Sequence, residues 1–352
     1  MQIKENILLA PYTTFKVGGP AKFFCVVKDQ FDALEAYEFA RKNGLNTFVL
    51  GGGSNILISD AGFDGLVMKV ENKGVEVLKE TDSNVLLKVA SGENWDKLVS
   101  FAVKNNWWGI ENLSHIPGST GAIAVQNVGA YGQEAKNVIE SVAVFDRDTH
   151  QILTLDKNDC GFEYRKSIFN SSQKGKYIIF SITFRLLKHG RPNISYRDLA
   201  IKFANSEPTL SEVRAAVIEI RNKKFPFPTK AENGNAGSFF KNPILDESNY
   251  TALLKTVANK FGQEVANLLN AKKFSGENQE IKIPAAYLME ICGLKGLSFG
   301  GAAINENQPL VIINQSGTAT AADVIGLANV VKAKILEMTG VELKFEPELI
   351  GF

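Results

Sequence analysis

Cysteine and histidine are both scarce in this chain. Among its 352 residues there are three of each, scattered along the sequence: Cys25, Cys160, Cys292, His115, His150 and His189. No two cysteines form a CxxC pair, and an odd, dispersed set argues against a disulfide framework or a zinc site. We therefore expect no metal.

The chain also lacks a large net charge of either sign and long runs of apolar residues. The formal net charge is +1, which gives no electrostatic basis for nucleic acid as the main partner. No apolar run reaches the 18 residues typical of a membrane span. The N-terminal "MQIKENILLAPYTTF" lacks the basic start, long apolar core and cleavage site of a signal peptide. We expect a cytoplasmic protein and, because no surface stripe argues for assembly, a monomer.

The chain does have enough apolar residues, 45%, for a large core, and its length suggests two or three domains. "AKFFCVVKD" is typical of a strand, "QFDALEAYEFARKNG" of a helix stopped by Gly44, and "NTFVLGGGSN" of a second buried strand. Strand, helix and strand predict a βαβ unit with a right-handed crossover. Ligands commonly bind at the carboxyl ends of such strands, where Gly51–Gly53 lie.

Later segments predict further elements. Strands are expected at "GVEVLKE", "NVLLKVA" and "KYIIFSITFRLL", a hairpin at "VAVFDRDTHQILTL", and helices at "NWDKLVSFAVKNN" and "TLSEVRAAVIEIRNKKFP". Thr209 and Glu212 form a possible capping box. Pro226 and Pro228 then indicate a domain boundary. A helix closed by Gly340 and a final strand over 341–352 complete the chain.

The triglycine "LGGGSN" does not match a dinucleotide-binding fingerprint, because Ile56 occupies the sixth position and "ILISD" continues as strand-like sequence. Three glycines still fit an anion-binding nest for a pyrophosphate. A tight turn with packing glycines is the alternative.

A second candidate runs from Glu111 to Glu134, "ENLSHIPGSTGAIAVQNVGAYGQE". A long, glycine-rich and mostly uncharged loop is costly to order, and such loops are usually functional or disordered. Ile116, Ile123 and Val125 argue against disorder. The segment fits either a wrap around a large, flat cofactor or an irregular connection.

Two charged motifs have open interpretations. Arg165 in "FEYRKSIF" lies among aromatic residues, which suits either a carboxylate binder or a surface arginine lying over apolar neighbours. In "KFEPELIGF" and the residues before it, the alternation puts Glu346 and Glu348 on the face opposite Val341, Leu343, Phe345 and Leu349. Periodicity alone predicts solvated carboxylates there.

The segment "GNAGSFFKNP", Gly234 to Pro243, is typical of a pocket wall. Its glycines allow close approach to a ligand, and Phe239 and Phe240 would exclude water. No G-x-S-x-G elbow or nearby histidine would activate Ser238 as a nucleophile. Proton donation therefore suits Ser238 better than attack; the alternative is a packed loop in which Ser238 bonds the backbone.

Together and in this order, several motifs resemble one family, the UDP-N-acetylenolpyruvoylglucosamine reductases (MurB). They are "TTFKVGGPA", "LGGGSNILI", "GIENLSHIPG", "GAYGQE", "YRKSIF", "GNAGSFFKNP", "LKG…GGAAI" and "EPEL", and they span nearly the whole chain. "SYRDL", with Tyr196, resembles the extra loop of the type I subclass.

The resemblance implies an α+β protein with an FAD-binding domain of the PCMH/vanillyl-alcohol-oxidase type and a smaller α+β substrate-binding domain. The first FAD-binding α/β subdomain would cover 1–72, rejoined by the strand at 341–352, and the second 73–225. The substrate-binding domain would cover 226–330, and a C-terminal segment 331–352.

The resemblance also implies non-covalent FAD, reduced by NADPH. UDP-N-acetylglucosamine enolpyruvate would then accept hydride from flavin N5 at C3 and become UDP-N-acetylmuramate, a peptidoglycan precursor. The implied cofactor-binding residues are Gly51, Gly52, Gly53, Ser54, Asn55, Ile116, Pro117, Gly118, Ser119, Gly121, Gln126, Asn127, Gly129, Ala130, Tyr131 and Gly132.

The implied catalytic residues are Arg165, Ser238 and Glu348. Arg165 would bind the substrate carboxylate, Ser238 would protonate C2, and Glu348 would assist charge stabilisation. Tyr164, Tyr196, Lys224 and Asn242 would hold the UDP-sugar.

One departure concerns the segment from 262 to 283, where many relatives carry an aromatic residue that stacks on uracil. Here that stretch has no tyrosine, and Phe274 is a possible substitute that we leave unassigned. Two other functions remain: another FAD-dependent oxidoreductase of the same superfamily, such as a sugar-lactone or alcohol oxidase, and a flavin or nucleotide binding module without turnover.

Overall fold

The computed structural model describes residues 1–204, 206–225, 227–275 and 280–352. The strands in chain order are β1 (Lys4–Leu8), β2 (Pro20–Val27), β3 (Asn46–Leu50), β4 (Ile56–Ile58), β5 (Phe63–Val70), β6 (Val75–Glu80), β7 (Asn84–Ala90), β8 (Gly129–Ala130), β9 (Gln133–Glu134), β10 (Ile139–Asp146), β11 (Gln151–Asp156), β12 (Tyr177–Leu187), β13 (Asn235–Ser238), β14 (Ile244–Leu245), β15 (Phe274–Ser275), β16 (Ile281–Lys282), β17 (Ser298–Phe299), β18 (Ala302–Ile304), β19 (Val311–Asn314) and β20 (Glu348–Ile350).

The α-helices are α1 (Gln30–Lys42), α2 (Trp95–Lys104), α3 (Thr120–Val125), α4 (Arg197–Lys202), α5 (Leu210–Lys224), α6 (Glu247–Phe261), α7 (Gln263–Lys272), α8 (Ala285–Ile291) and α9 (Ala321–Thr339). Short 3₁₀ helices cover Ala10–Tyr12, Glu111–Leu113, Ala135–Asn137, Ile168–Asn170 and Ala231–Asn233. In the described part of the chain, no helix has both the length and the apolar composition to cross a membrane.

The chain forms two compact units. The first contains Met1–Leu8, Pro20–Gly53 and Phe63–Lys223; the second contains Leu9–Gly19, Ser54–Gly62 and Lys224–Phe352. The four-part division expected above stays a prediction, and its boundary residue Pro226 lies outside the described residues.

The first unit holds two main sheets. One has the order β1-β2-β5-β3, and the other β11-β10-β12-β7-β6. The predicted strand–helix–strand unit is present as β2, α1 and β3, but β5 lies between the two strands and pairs in parallel with both. All adjacent strands in the second sheet are antiparallel. The pairing of β10 with β11 confirms the predicted hairpin.

Local signals explain where the long helices begin and end. The Asp29 side chain accepts from two N–H groups at the start of α1. Thr209 and Glu212 exchange hydrogen bonds at the start of α5, which confirms the predicted capping box. At the end of α9, Gly340 adopts φ +74°, a left-handed conformation that glycine enters without steric cost.

The second unit is built on the sheet β13-β19-β18-β17, a small sheet β14-β16-β15 and the parallel pair β4–β20. The expectation of one strand over 341–352 is wrong, since only Glu348–Ile350 is a strand. Pro347 has no N–H group to donate to a strand ladder. Before Pro347, the bridge described in the structure is an isolated one, between Phe345 and Phe240. The alternation survives in burial, because Val341 and Leu343 lie in the core while Glu342 and Lys344 are exposed.

Candidate active site

Two glycine segments of the first unit touch through their backbones. Gly51–Gly53 follow β3, and Gly118 and Ser119 precede α3. A Cβ built on Gly52 would lie 2.4 Å from Gly118 Cα and 2.5 Å from Ser119 N. Only glycine at position 52 permits this approach. The structure thus brings together two of the segments that the sequence assigned to cofactor binding.

The chemistry of this junction fits the diphosphate of FAD. Among the described residues, the backbone N–H groups of Gly51, Gly52, Gly118 and Ser119 have no hydrogen-bond partner. Neither "GGGSN" nor "IPGSTGAIAVQN" contains a carboxylate. A group of unpaired N–H donors on small residues is the arrangement that binds phosphate oxygens. The residues present therefore fit the group.

The expected loop from Glu111 to Glu134 is more regular than its sequence indicates. It contains the 3₁₀ helix Glu111–Leu113, the helix α3 and the β8–β9 hairpin. The first N–H groups of α3 are used by the protein itself, since Thr120 N donates to Glu93 O at 2.8 Å and Gly121 N to Ser91 O at 2.9 Å. The available donors thus belong to the loop before the helix.

The end of this segment is held in a strained conformation. Asn127 and Tyr131 have φ values of +45° and +49°, which residues other than glycine rarely adopt. The Asn127 Nδ2 group donates to Glu134 Oε2 and to Glu163 O, both at 3.0 Å. Its Oδ1 accepts from Lys136 N at 2.9 Å. These bonds commit the Asn127 amide to positioning the segment.

Arg165 is tied to the same segment. Its Nη2 donates to Gly129 O at 3.1 Å, and its guanidinium carbon lies 5.2 Å from the ring centre of Tyr164. Its backbone has φ +55°, and Asn170 Nδ2 donates to its carbonyl. A half-buried guanidinium fixed in this way is suited to bidentate recognition of a carboxylate. Backbone strain of this kind often accompanies function.

Four residues hold the start of the segment 116–132, which was assigned to the cofactor from the sequence. None of the four was given a role from the sequence. Asp96 and Arg214 form a bidentate ion pair, with N–O distances of 2.7 and 2.9 Å. Asp96 also accepts from the N–H of His115, whose φ is +59°. Arg221 Nε donates to His115 O at 2.8 Å. His115 directly precedes Ile116, so this clamp fixes where the segment begins.

The environment shifts the ionisation of these groups. Burial opposes the charge of Asp96, but hydrogen bonds from Arg214 and His115 outweigh it and hold the Asp96 pKa below its usual value. Burial lowers the pKa of the His115 imidazole, against a hydrogen bond with Asn222. Burial also lowers the pKa of Arg221, an effect that the Tyr131 hydroxyl opposes. No local pattern signals this cluster, since its members are up to 125 residues apart in sequence.

In the second unit, Ser238 ends β13, next to a glycine in the left-handed region. Gly237 has φ +72°, and its N–H donates to Asn235 Oδ1 at 3.0 Å. Ser238 is half-buried. Within the described residues its hydroxyl has no hydrogen-bond partner, so the expected alternative of a serine bonded to the backbone is not seen.

The two phenylalanines after Ser238 belong to the core, which corrects their interpretation as a pocket wall. Phe239 and Phe240 are fully buried, and their rings lie 5.6 and 5.9 Å from that of Phe345. Phe240 bridges Phe345 antiparallel, and Glu346 N donates to Phe239 O at 3.0 Å. The aromatic cluster therefore fixes the strand of Ser238 against the "EPE" segment.

This pairing brings the chain segments of two predicted catalytic residues together. Ser238 directly precedes the paired stretch of its own segment, and Glu348 follows the paired Glu346 by two residues. The Glu348 N–H donates to Asn55 O at 3.0 Å, and Asn55 Nδ2 donates to Glu346 O at 3.2 Å. Both glutamates are half-buried, so they are less exposed than the solvated carboxylates that periodicity alone predicts.

The residues expected to hold the UDP-sugar occupy different settings. Tyr196 precedes α4, and its ring packs edge-on against that of Tyr131 at 5.1 Å. Lys224 is the last residue of α5. Asn242 Oδ1 accepts from Ala285 N at 3.0 Å, which caps the start of α8. Phe274 is 45% exposed, and the stretch 276–279 of the expected uracil-stacking segment lies outside the described residues.

Two protein families match this chain, one in its N-terminal half and one in its C-terminal half. Residues 21–155 match the family described as "FAD binding domain", and residues 228–350 the family "UDP-N-acetylenolpyruvoylglucosamine reductase, C-terminal domain". A UDP-N-acetylenolpyruvoylglucosamine reductase of Neisseria gonorrhoeae is 40% identical over 98% of this chain and 96% of its own length. The chain belongs to the UDP-N-acetylenolpyruvoylglucosamine reductase family.

Other members of the reductase family show the same extent of similarity. Those of Aliivibrio fischeri and Flavobacterium johnsoniae are 40% and 37% identical, and cover 98% and 99% of this chain and 94% and 100% of their own. The MurB crystal structure from Thermus caldophilus has the same fold, with a TM-score of 0.68 at 24% identity over 99% of both chains. The family resemblance and the expected α+β fold with an FAD-binding domain of the PCMH type are confirmed.

Proposed function

We propose that this chain reduces UDP-N-acetylglucosamine enolpyruvate to UDP-N-acetylmuramate, with FAD as cofactor and NADPH as electron donor. The family membership along the full length supports the reaction. The observation that carries the residue assignment is the antiparallel pairing of the segment after Ser238, at Phe239 and Phe240, with the segment before Glu348, at Phe345 and Glu346. The Ser238 hydroxyl, which has no partner in the described residues, and the half-buried Glu348 carboxylate thus belong to segments that pair directly.

FAD, when bound, carries two electrons from NADPH to the enolpyruvyl group. The N–H groups of Gly51, Gly52, Gly118 and Ser119 would hold its diphosphate. Ser54, Asn55 and the residues from Ile116 to Gly132 that the sequence assigned would complete its site. The contacts of His115 with Asp96 and Arg221 fix the start of this segment. Less conformational entropy is therefore lost when the cofactor binds.

Arg165 binds the carboxylate of the enolpyruvyl group. When the alkene is reduced at C3, negative charge develops on C2 and spreads into that carboxylate. A guanidinium already oriented by Gly129 O stabilises this charge without reorganisation, an effect of roughly 10²–10³ in rate. The same guanidinium carbon lies 5.2 Å from the Tyr164 ring centre, a cation–π contact that adds to its positioning.

Ser238 donates the proton that C2 requires, and Glu348 stabilises the transfer. A serine hydroxyl is a weak acid, so it acts only if held at the carbon where charge develops, and a positioned general acid contributes roughly 10²–10⁴ in rate. Gly237 gives the backbone the turn that presents Ser238. Tyr196, Lys224 and Asn242 hold the UDP-sugar.

The Ser238→Ala variant tests this assignment by stopped-flow absorbance of the flavin. We expect its reduction by NADPH to stay within about threefold of wild type, and its reoxidation by the enolpyruvyl sugar to slow roughly 10²–10⁴-fold. Ser316→Ala, a serine away from this strand pairing, is the matched control. Equal slowing of both half-reactions in Ser238→Ala would contradict proton donation.

We also propose a cytoplasmic location. Cys25, Cys160 and Cys292 are free thiols, as is usual for proteins of a reducing compartment. Burial raises the pKa of the Cys25 and Cys160 thiols to about 12, and that of Cys292 to about 11. Fractionation of cells that express a tagged chain tests the location, and recovery in a membrane or periplasmic fraction would contradict it.

A further inference from the structure

A buried asparagine joins two segments that the proposed function uses separately. Asn112 is fully buried in the first unit. Its Nδ2 donates to Tyr131 O at 2.6 Å and to Asn193 O at 2.7 Å. Tyr131 belongs to the turn assigned to the cofactor, and Asn193 lies three residues before Tyr196, which is assigned to the substrate. One amide therefore bonds both segments.

A second bond links the same two segments. Asn193 Nδ2 donates to Gly132 O at 2.8 Å, while its Oδ1 accepts from Ser195 Oγ at 2.7 Å. A Cβ on Gly132 would lie 3.2 Å from the Asn193 amide. With the edge-on contact between the Tyr131 and Tyr196 rings, the segment 193–196 is attached to the turn at three points.

The orientation of Asn112 is set by its neighbours. Its N–H donates to Gln133 Oε1 at 2.9 Å, and Gln133 Nε2 donates to Glu111 Oε1 at 2.7 Å. Its own Oδ1 is buried and has no partner among the described residues. If the Asn112 amide were flipped, its Oδ1 would point at the carbonyl oxygens of Tyr131 and Asn193, and two acceptors cannot form a hydrogen bond. Only the observed orientation is therefore favourable. The site requires two donors from one side chain.

We propose that Asn112 is a positioning residue that couples the cofactor turn at Tyr131–Gly132 to the substrate segment at 193–196. FAD binding orders the turn, and through Asn112 it orders the segment that carries Tyr196. This inference rests on the proposed function, which assigns the two segments to cofactor and substrate. Because such coupling is reciprocal, substrate bound at Tyr196 tightens FAD binding in return.

Hydrogen–deuterium exchange of the peptide over residues 188–199, with and without FAD, tests the coupling. In wild type we expect FAD to slow exchange there about tenfold. In Asn112→Asp, which loses both donors, we expect the FAD effect to fall below about twofold, since each lost hydrogen bond is worth roughly a factor of five. The KM for the enolpyruvyl sugar should rise about tenfold, while flavin reduction by NADPH keeps its rate.

Asn314→Asp is the matched control. Asn314 is also fully buried, and its Nδ2 has no partner in the described part of the chain, while Oδ1 accepts from Ala319 N. An aspartate there buries a carboxylate without loss of a donor bond, so it lowers stability but keeps the FAD effect. Asn193→Ala, which retains the bonds of Asn112 but loses the one to Gly132 O, should reduce the FAD effect about fivefold.

An unchanged FAD effect in Asn112→Asp overturns the proposal, as does a wild type whose peptide is not protected by FAD. A merely structural role would speed exchange equally with and without FAD. If Asn112→Asp does not fold, an unchanged effect in Asn193→Ala overturns the coupling. Wild type that shows the FAD effect but does not reduce the enolpyruvyl sugar contradicts the proposed function and leaves the coupling supported.

Discussion

The contact between Gly52 and the Gly118–Ser119 backbone makes a single methyl group a sharp test of the cofactor site. In Gly52→Ala the new Cβ would lie 2.4 Å from Gly118 Cα and 2.5 Å from Ser119 N. Both neighbours are backbone atoms that cannot rotate away. Because Gly52 does not have a positive φ, this overlap is the reason the substitution is strained.

The size of the effect follows from the overlap. Ordinary contact between carbon atoms is about 3.5–4.0 Å, so the two segments must separate by about 1 Å. Overpacking of this kind costs about 1–3 kcal/mol. If the separated segments no longer align their N–H groups, the same free energy is lost from FAD binding, and the dissociation constant rises roughly 5–150-fold.

Gly51→Ala is the matched control. Its Cβ would meet Ser119 Oγ at 2.8 Å and Ala122 Cβ at 3.4 Å. The hydroxyl can move to another rotamer, and alanine lowers the entropy of the unfolded chain, which stabilises by about 0.4–1 kcal/mol. We expect the Gly51→Ala dissociation constant to stay within about threefold of wild type.

The assay is titration of the FAD-free proteins by flavin fluorescence, with thermal unfolding of the same samples. The expected result is weak binding in Gly52→Ala alone. Equal dissociation constants for Gly52→Ala and wild type would refute the assignment of this junction to FAD. A lower unfolding temperature with unchanged binding would show that the contact serves only stability.

Two further predictions concern charged residues. Arg165→Ala should slow flavin reoxidation by the enolpyruvyl sugar roughly 10²–10³-fold but leave its reduction by NADPH nearly intact, and unchanged turnover would show that Arg165 is structural. Asp96→Asn should lower the free energy of unfolding at pH 7 by about 1–3 kcal/mol, because Arg214 and His115 lose a charged acceptor. Since the Asp96 pKa is lowered in the folded state, this contribution is present above about pH 4, the unfolded value, and is lost as pH falls through the folded value. Urea unfolding at pH 7 and pH 3 checks it, and a difference that does not become smaller between pH 7 and pH 3 would contradict the ion-pair account.

Local signals in the sequence predicted the helices α1, α2, α5 and α9 and the strands β2, β3, β6, β7 and β10–β12, but not the helices α3, α4 and α6–α8. The helices α1, α5 and α9 have their caps and stops within a few residues of the helix itself, at Asp29, Thr209 and Gly340. Short-range chemistry decides these boundaries, so a sequence suffices to find them.

Pairing over long distances could not be predicted in the same way. The insertion of β5 between β2 and β3 leaves no trace in the strand pattern. The alternation at 341–349 correctly placed Val341 and Leu343 in the core, but it could not show that the segment forms only an isolated bridge at Phe345 and begins a continuous ladder at Glu348. The alternation of apolar and polar residues determines which face of a segment is buried. The bounds of a strand depend on where a pairing segment lies in the fold.

The candidate site shows the same division. The glycines at 51, 52 and 118 stand out in the sequence, but a tight turn explains the triglycine as well, and the family resemblance assigned these glycines to the cofactor. Asp96 and Arg214, 118 residues apart, carry no motif, and the Asn112 bonds involve backbone acceptors that a sequence does not display. The family resemblance supplied Arg165, Ser238 and Glu348, whose roles no spacing reveals.

The central claim is that this chain passes electrons from NADPH through FAD to an enolpyruvyl sugar. The most direct measurement is the visible spectrum of the FAD-loaded protein under anaerobic conditions, with NADPH and then UDP-N-acetylglucosamine enolpyruvate added in turn. The account predicts that the flavin band bleaches with NADPH and returns with the enolpyruvyl sugar, which becomes two mass units heavier. A flavin that bleaches and stays bleached until oxygen is admitted would contradict the claim and favour an oxidase of the same superfamily.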